Sequence, residues 1–312
     1  MKINQISPQE SDFTEVLSTI ALTPKTLYYY GTLPGKVPFL KFPGGEEDTS
    51  KQMRPKTVAI VGARKNTGYG QEIAYKAAYD LAQAGVVIVS GLAYGIDSIA
   101  HRAALDAGGK TVAILGTPIE RVYPAEHKGL ALEISENGGA VMSEYNMESG
   151  GGHGEKGGLR FLYRNRLIAG LADAVLIVEA SERSGSLNTA NHALEQGKDV
   201  LAVPGNVDLA NSEGCNNLIA SGAMIYRNVG DIFEVLFPGF EARKQTQRQI
   251  AASFKGSPAE KSIIEQIAIG VSDGEEIMLR TGMDAAIYNR SISMLEIRGV
   301  VKPLGANRWM LR

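Results

Sequence analysis

The sequence predicts an α/β protein: a doubly wound, mostly parallel sheet followed by a small C-terminal winged-helix domain. Three observations carry this. Short runs rich in Val, Ile and Ala recur at 58–61, 86–89, 112–115, 140–142, 175–178 and 200–203. Each is apolar on both faces, as strands buried between two helical layers are. Helix-length segments at 71–84, 96–107, 126–136, 161–171 and 187–196 separate most of them, the alternation of a doubly wound sheet. Near the C-terminus, helical apolar spacing at 259–267 and 287–298, a shorter helix at 275–280 and two strand-like runs flanking Leu304-Gly305-Ala306-Asn307 give three helices and a hairpin.

The 312 residues divide on this reading into a lead-in (1–55), the α/β body (56–237), a linker rich in Gly, Lys, Arg and Gln (238–257) and the winged helix (258–312). Within the lead-in, 11–20 suits a short helix, Leu27-Tyr28-Tyr29-Tyr30 reads as a strand stopped by Gly31, and 34–55 reads as loop. A formal net charge of −2 excludes a polycation, so a nucleic-acid site has to be a local basic patch. The single cysteine, Cys215, allows no disulfide within the chain and fits a reducing compartment. The polar first dozen residues lack a signal-peptide core, and no apolar run is long enough to span a bilayer. A cytoplasmic protein without a membrane partner is expected.

Three loops leave strands and enter helices. The first, Gly62-Ala63-Arg64-Lys65-Asn66-Thr67-Gly68-Tyr69-Gly70, combines a tight turn with free N–H groups and two cations at one mouth. Its spacing matches neither the dinucleotide fingerprint nor the P-loop, which disfavours a standard NAD or ATP site. The second, Ser90-Gly91-Leu92-Ala93-Tyr94-Gly95-Ile96-Asp97, would join it at the carboxyl edge if the two strands are neighbours; Asp97 also suits a helix cap. In the third, Ser184, Gly185 and Ser186 offer amides and hydroxyls to a phosphate, or serve as an N-cap. Beside the phosphate reading, each loop also has the plain reading of a strand-to-helix connection of this fold class.

A fourth feature is Arg160-Phe161-Leu162-Tyr163-Arg164-Asn165-Arg166. Residues 160, 164 and, less closely, 166 can share one side of a helix. Arginines beside an aromatic suit single-stranded nucleic acid, where the cation holds phosphate and the ring stacks a base for roughly 1–3 kcal/mol. The glycine-rich tract 150–158 before it reads as a mobile loop. The four histidines, His101, His127, His153 and His192, show no metal-ligand spacing, Cys215 has no evident histidine partner, and no nucleophile elbow is present. No metal, cofactor or catalytic residue is expected.

These motifs in this order resemble the DprA/Smf family. The resemblance rests on Val58-Ala59-Ile60-Val61-Gly62-Ala63-Arg64, the second loop, Ala100-His101-Arg102-Ala103-Ala104-Leu105 and Val122-Tyr123-Pro124-Ala125-Glu126. Arg164-Asn165-Arg166-Leu167-Ile168-Ala169-Gly170-Leu171, Ser184-Gly185-Ser186-Leu187-Asn188-Thr189-Ala190 and Val203-Pro204-Gly205 complete it, over about residues 27–235. It implies an extended Rossmann-like core that binds single-stranded DNA as a dimer, without enzymatic activity, and helps load the RecA recombinase during natural transformation. By motif it implies DNA contacts at Gly62, Arg64, Gly91, Phe161, Arg164, Asn165 and Arg166; Lys65, Arg160, Ser184 and Ser186 are added on the charge and phosphate arguments above. The family often carries proline-rich sequence where 150–158 stands, and the short lead-in implies a reduced helical N-terminal domain. A nucleotide hydrolase of the phosphoribohydrolase type is the alternative, since loop three and Glu195 resemble a degenerate form of its Pro-Gly-Gly signature. In a third reading, 287–298 contacts duplex DNA or a protein.

Overall fold

The computed structural model describes residues 2–38, 52–148, 157–237, 254–268, 271–305 and 307–311. The expected linker lies mostly outside these residues, as does most of the glycine-rich tract. The chain forms two compact units, residues Met1–Phe240 and Glu241–Arg312.

The first unit holds a nine-stranded sheet in the order β1-β2-β8-β7-β6-β5-β9-β10-β11, and a separate short antiparallel pair of β3 (Val37–Pro38) and β4 (Gln52–Met53) within the stretch expected as loop. The expected apolar runs are its centre: β5 (Thr57–Val61), β6 (Val87–Ser90), β7 (Thr111–Leu115), β8 (Ala140–Ser143), β9 (Ala174–Ile177) and β10 (Asp199–Ala202). These pair in parallel, and the two-residue β11 (Met224–Ile225) extends them in parallel. Alternate residues feed opposite cores, which is why the runs are apolar throughout. Val58 and Ile60 pack with Ala74, Ala77 and Ala78 of α1 (Gly68–Gln83) and Ala100, Ala103 and Ala104 of α2 (Ile96–Asp106). Ala59 and Val61 pack with Leu167, Ile168 and Leu171 of α4 (Gly157–Leu171) and Ala190 and Ala193 of α5 (Gly185–Glu195). The remaining helices of this unit are α3 (Lys128–Glu136), α6 (Ala210–Ala220) and α7 (Val229–Leu236).

The lead-in does not stand apart from this body. β1 (Asn4–Ile6) and β2 (Leu27–Gly31) pair antiparallel, and β2 extends the sheet antiparallel to β8. Phe13, Leu17, Ile20 and Leu27 are buried in the core that holds α4. Four large apolar side chains within 15 residues need such a home, so the packing boundary does not fall at residue 55.

From β5 the chain steps outward through β6, β7 and β8, then returns to β9 on the other side of β5. The switch point of the winding therefore lies between β5 and β9, at whose carboxyl ends ligands sit in open α/β sheets.

The second unit has α8 (Pro258–Ala268), α9 (Gly274–Thr281), α10 (Ala285–Ile297) and a hairpin of β12 (Val301–Gly305) and β13 (Arg308–Leu311). Asp273 caps α9 through the amides of Glu275 and Glu276, and Asp284 caps α10 through that of Ile287. Ile263, Ile267, Ile277, Ile292, Leu295, Val301 and Leu311 make its core.

Candidate nucleic-acid interface

The three loops converge because β6, β5 and β9 are adjacent. Loop one has no room for a side chain at Gly62, where a Cβ would lie 2.8 Å from Ile96 and 3.0 Å from the Glu179 carbonyl. Glu179, buried two residues beyond β9, accepts from the Thr67 amide at 2.9 Å and the Thr67 hydroxyl at 2.5 Å. Thr67 in turn caps α1. This leaves Arg64 and Lys65 exposed at the crest. In loop two, Gly95 and not Asp97 is the N-cap of α2; the buried Asp97 carboxylate, inside the first turn, reaches back to accept from the loop amides of Gly91 (3.1 Å) and Ala93 (3.4 Å). Loop three ends at Ser184, the N-cap of α5, whose hydroxyl lies 2.8 Å from that of Ser186.

Helix α4 closes the cleft. Arg164 is 5% exposed; its Nη1 donates to the carbonyls of Gly91 (3.0 Å) and Ile114, and its Nε to Asn165 Oδ1 (3.2 Å). Burial pushes this guanidinium down to about 10, with Asp97 opposing the shift. Burial also raises the Asp97 carboxyl, against the pull of Arg164 and the loop amides. Asn165 donates to Gly185 O (3.2 Å) and Asn188 Oδ1 (3.1 Å), tying α4 to the start of α5. Half-buried Phe161 lies 6.0 Å from the Arg64 guanidinium carbon and 5.3 Å from the ring of Tyr123.

Between these elements lies a cavity of about 200 Å³, lined by Gly62, Arg64, Asp97, Phe161, Arg164, Asn165, Ser184, Gly185, Ser186 and Thr189. A smaller cleft beside it is walled by Gly91, Tyr94, Tyr123 and Pro124 and shares Arg64, Phe161 and Arg164. Of the residues singled out from sequence, Gly62, Arg64, Phe161, Arg164, Asn165, Ser184 and Ser186 line the cavity, and Gly91 lines the cleft. Lys65 lines neither.

Arg160 and Arg166 also fall elsewhere. Arg160 is buried with its guanidinium 5.3 Å over the Tyr145 ring, and its Nε and Nη2 have no hydrogen-bond partner. Arg166 is 2% exposed; its Nη2 donates to both Glu144 oxygens and its Nε to Leu22 O. Two residues beyond Arg164 is more than half a helical turn, so Arg166 points to another side of α4. It holds the fold together and does not share the cleft.

Sequence reasoning did not single out Tyr123, Tyr94 or Thr189. Tyr123 is 47% exposed beside Phe161, and the only signal for it was its place in the Val122-Tyr123-Pro124 motif. No group of three or more His, Cys, Asp or Glu among the described residues could hold a metal, and no helix among them is long and apolar enough to cross a membrane. The cleft joins an exposed cation, a buried one and a helix N-terminus, each favouring an anion, to aromatic rings that offer a flat face.

Fold and site together define an α/β protein with an anion- and ring-receiving cleft at the switch point of its sheet. The chain belongs to the DNA recombination-mediator protein A family, whose model matches residues 4–237. Relatives carry the name DprA or Smf. DNA processing protein DprA of Streptococcus pneumoniae is 41% identical over 218 residues, 69% of this chain and 68% of that one. Protein Smf of Escherichia coli is 42% identical over 179 residues, 57% of this chain and 46% of that one. A Mycobacterium tuberculosis relative is 38% identical over 252 residues, 80% of this chain but only 63% of its own length. The solved DprA of Streptococcus pneumoniae superposes with a TM-score of 0.59 at 36% identity, covering 75% of this chain and 74% of that one. A structure describing the single-stranded DNA binding mode of Helicobacter pylori DprA gives 0.58 at 27% identity, covering 76% of this chain and 96% of that one.

Proposed function

We propose that this protein binds single-stranded DNA in the cleft between Arg64, Phe161 and the start of α5, and hands the strand to the RecA recombinase in DNA uptake. The observation that carries this is the pairing of Arg64 with Phe161 at the mouth of the cavity. It offers a phosphate and a base separate partners, and only an unpaired strand exposes the flat face of its bases. The single-stranded DNA binding of the Helicobacter pylori relative supports the same reading. The site is read as binding and not as hydrolysing: Asp97 and Glu179 are committed to loop amides and to Thr67.

A homodimer is part of the proposal. β11 is one of the two outer strands of the sheet, and Met224 and Ile225 on it are exposed, an edge that favours pairing with a second copy. Residues 258–312 are read as a winged-helix domain and the cytoplasm as the compartment, in keeping with the lone buried Cys215.

Fluorescence anisotropy with labelled single strands and matched duplexes tests the central reading over a salt series. Tighter binding of single strands, weakening with salt as phosphate contacts release counterions, is expected. Equal affinity for duplex, or affinity independent of salt, overturns it. Adding RecA to strands coated with single-strand-binding protein tests the delivery step: filament formation should accelerate when this protein is present.

A further inference from the structure

Helix α10 of the second unit has two apolar sides. Tyr288, Ser291, Ile292 and Leu295 are buried in the unit's own core. On another side, Ile287 and Ile297 are 47% and 78% exposed, with Met294 exposed between them. Together with Arg290 they follow the i, i+3, i+7, i+10 spacing of a two-stranded helical seam. A helix apolar on two sides is suited to two neighbours, and the unit's core supplies one of them.

Charge narrows the second neighbour. Residues 254–312 carry eight lysines and arginines against seven aspartates and glutamates, so the unit lacks the cationic field that a DNA backbone requires. α10 itself carries only Arg290 and Glu296. Arg280 is committed to Glu276 at 2.6 Å and Arg298 to Glu260 at 3.2 Å, whereas Arg290 makes no ion pair among the described residues. A second copy would not satisfy it. A parallel pair sets Arg290 against Arg290, and an antiparallel pair sets it against Met294.

We infer that α10 docks an amphipathic α-helix of another protein, whose apolar seam carries an aspartate or glutamate where it meets Arg290. A charge in an apolar seam fixes register and rejects partners without its complement. The α10 face shares no residue with the cleft, and the inference does not rest on the DNA-binding reading.

The test uses the full chain and two synthetic helical peptides of about three heptads, with leucine at the seam positions and either one central Glu or one central Lys. Fluorescence anisotropy should show the Glu peptide binding about tenfold more tightly than its Lys twin. Ile297→Asp should abolish binding of both, and Arg290→Glu should invert the preference, which a mere loss of structure would not do. Both residues are exposed, so the variants should keep the parent's urea midpoint. Failure of the Glu peptide to bind, or equal binding of the two, overturns the inference. So does duplex DNA affinity, or self-association in sedimentation, that is lost in Ile297→Asp, since the seam then serves DNA or a second copy.

Discussion

Arg166 and Glu144 form an ion pair in which one guanidinium nitrogen donates to both carboxylate oxygens, at 2.7 and 2.8 Å. The same guanidinium stacks 3.9 Å from the Tyr163 ring and donates to Leu22 O at 2.9 Å. It therefore bolts α4 to the chain beyond β8 and to the N-terminal segment. Arg166→Ala leaves a carboxylate and a carbonyl short of partners and should cost about 3 kcal/mol of stability. Urea unfolding measures this. A variant that unfolds like the parent yet fails to bind DNA would make Arg166 a ligand.

Arg64→Ala should show the opposite profile. Arg64 is exposed and its charge serves only the cleft mouth, so stability should change by less than about 0.5 kcal/mol. Single-strand affinity should fall, and the slope of log affinity against log salt should shrink by about one phosphate contact. An unchanged slope at unchanged affinity would remove Arg64 from the interface.

Gly91 matters through the side chain it lacks. A Cβ there would lie 2.6 Å from Arg164 Nη2 and 2.7 Å from Asp97 Oδ2, inside the gap between a buried cation and a buried carboxylate. Gly91→Ala should displace the guanidinium, costing about 1–3 kcal/mol and weakening DNA binding as the cleft floor shifts. Parent-like stability together with parent-like affinity would show that the gap yields without strain.

The centre of the sheet was legible because each strand is buried on both faces and reads as an unbroken apolar run. Its margins were not. β1 reads Asn4-Gln5-Ile6 and carries no apolar run, and β11 is apolar but only two exposed residues long, too short to stand out. The cleft was legible where a strand, a glycine turn and a helix start follow one another, as around Gly62, Gly91 and Ser184. Arg166 shows where this fails: its spacing from Arg164 gives a direction around α4, but Glu144 and Leu22 come from distant segments. Tyr123 was missed because an exposed tyrosine in a loop gives no local hint of the Phe161 ring facing it.

His101 ties stability to pH. It is fully buried, with Nδ1 2.6 Å from the Thr111 hydroxyl, which donates to Ile88 O. Nδ1 therefore carries the proton, and Nε2 is buried without a partner. Burial pushes the imidazole from 6.5 down to about 3. Below 6.5 the unfolded chain takes up a proton that the folded chain refuses. The contribution is whole above 6.5 and declines toward pH 3, by about 1.4 kcal/mol per unit. Urea titrations at pH 7, 6 and 5 should show His101→Gln less sensitive to acid than the parent; parallel curves would place the titration elsewhere.

Tyr123 completes the aromatic wall of the cleft. Its ring is tilted 47° to Phe161 at 5.3 Å, and it borders the smaller cleft with Arg64 and Tyr94. A base entering there would meet rings on two sides, a contact that tolerates any base because each has a flat face. Tyr123→Ala should therefore weaken single-strand binding by about 1–3 kcal/mol with little dependence on sequence. Tyr123→Phe should keep most of the affinity, since stacking needs the ring and not the hydroxyl. The exposed position predicts unchanged stability for both. Strands carrying 2-aminopurine report the contact directly: fluorescence quenched by the parent should recover with Tyr123→Ala and stay quenched with Tyr123→Phe. Equal quenching by all three proteins would leave Phe161 as the sole stacking ring and Tyr123 as its support.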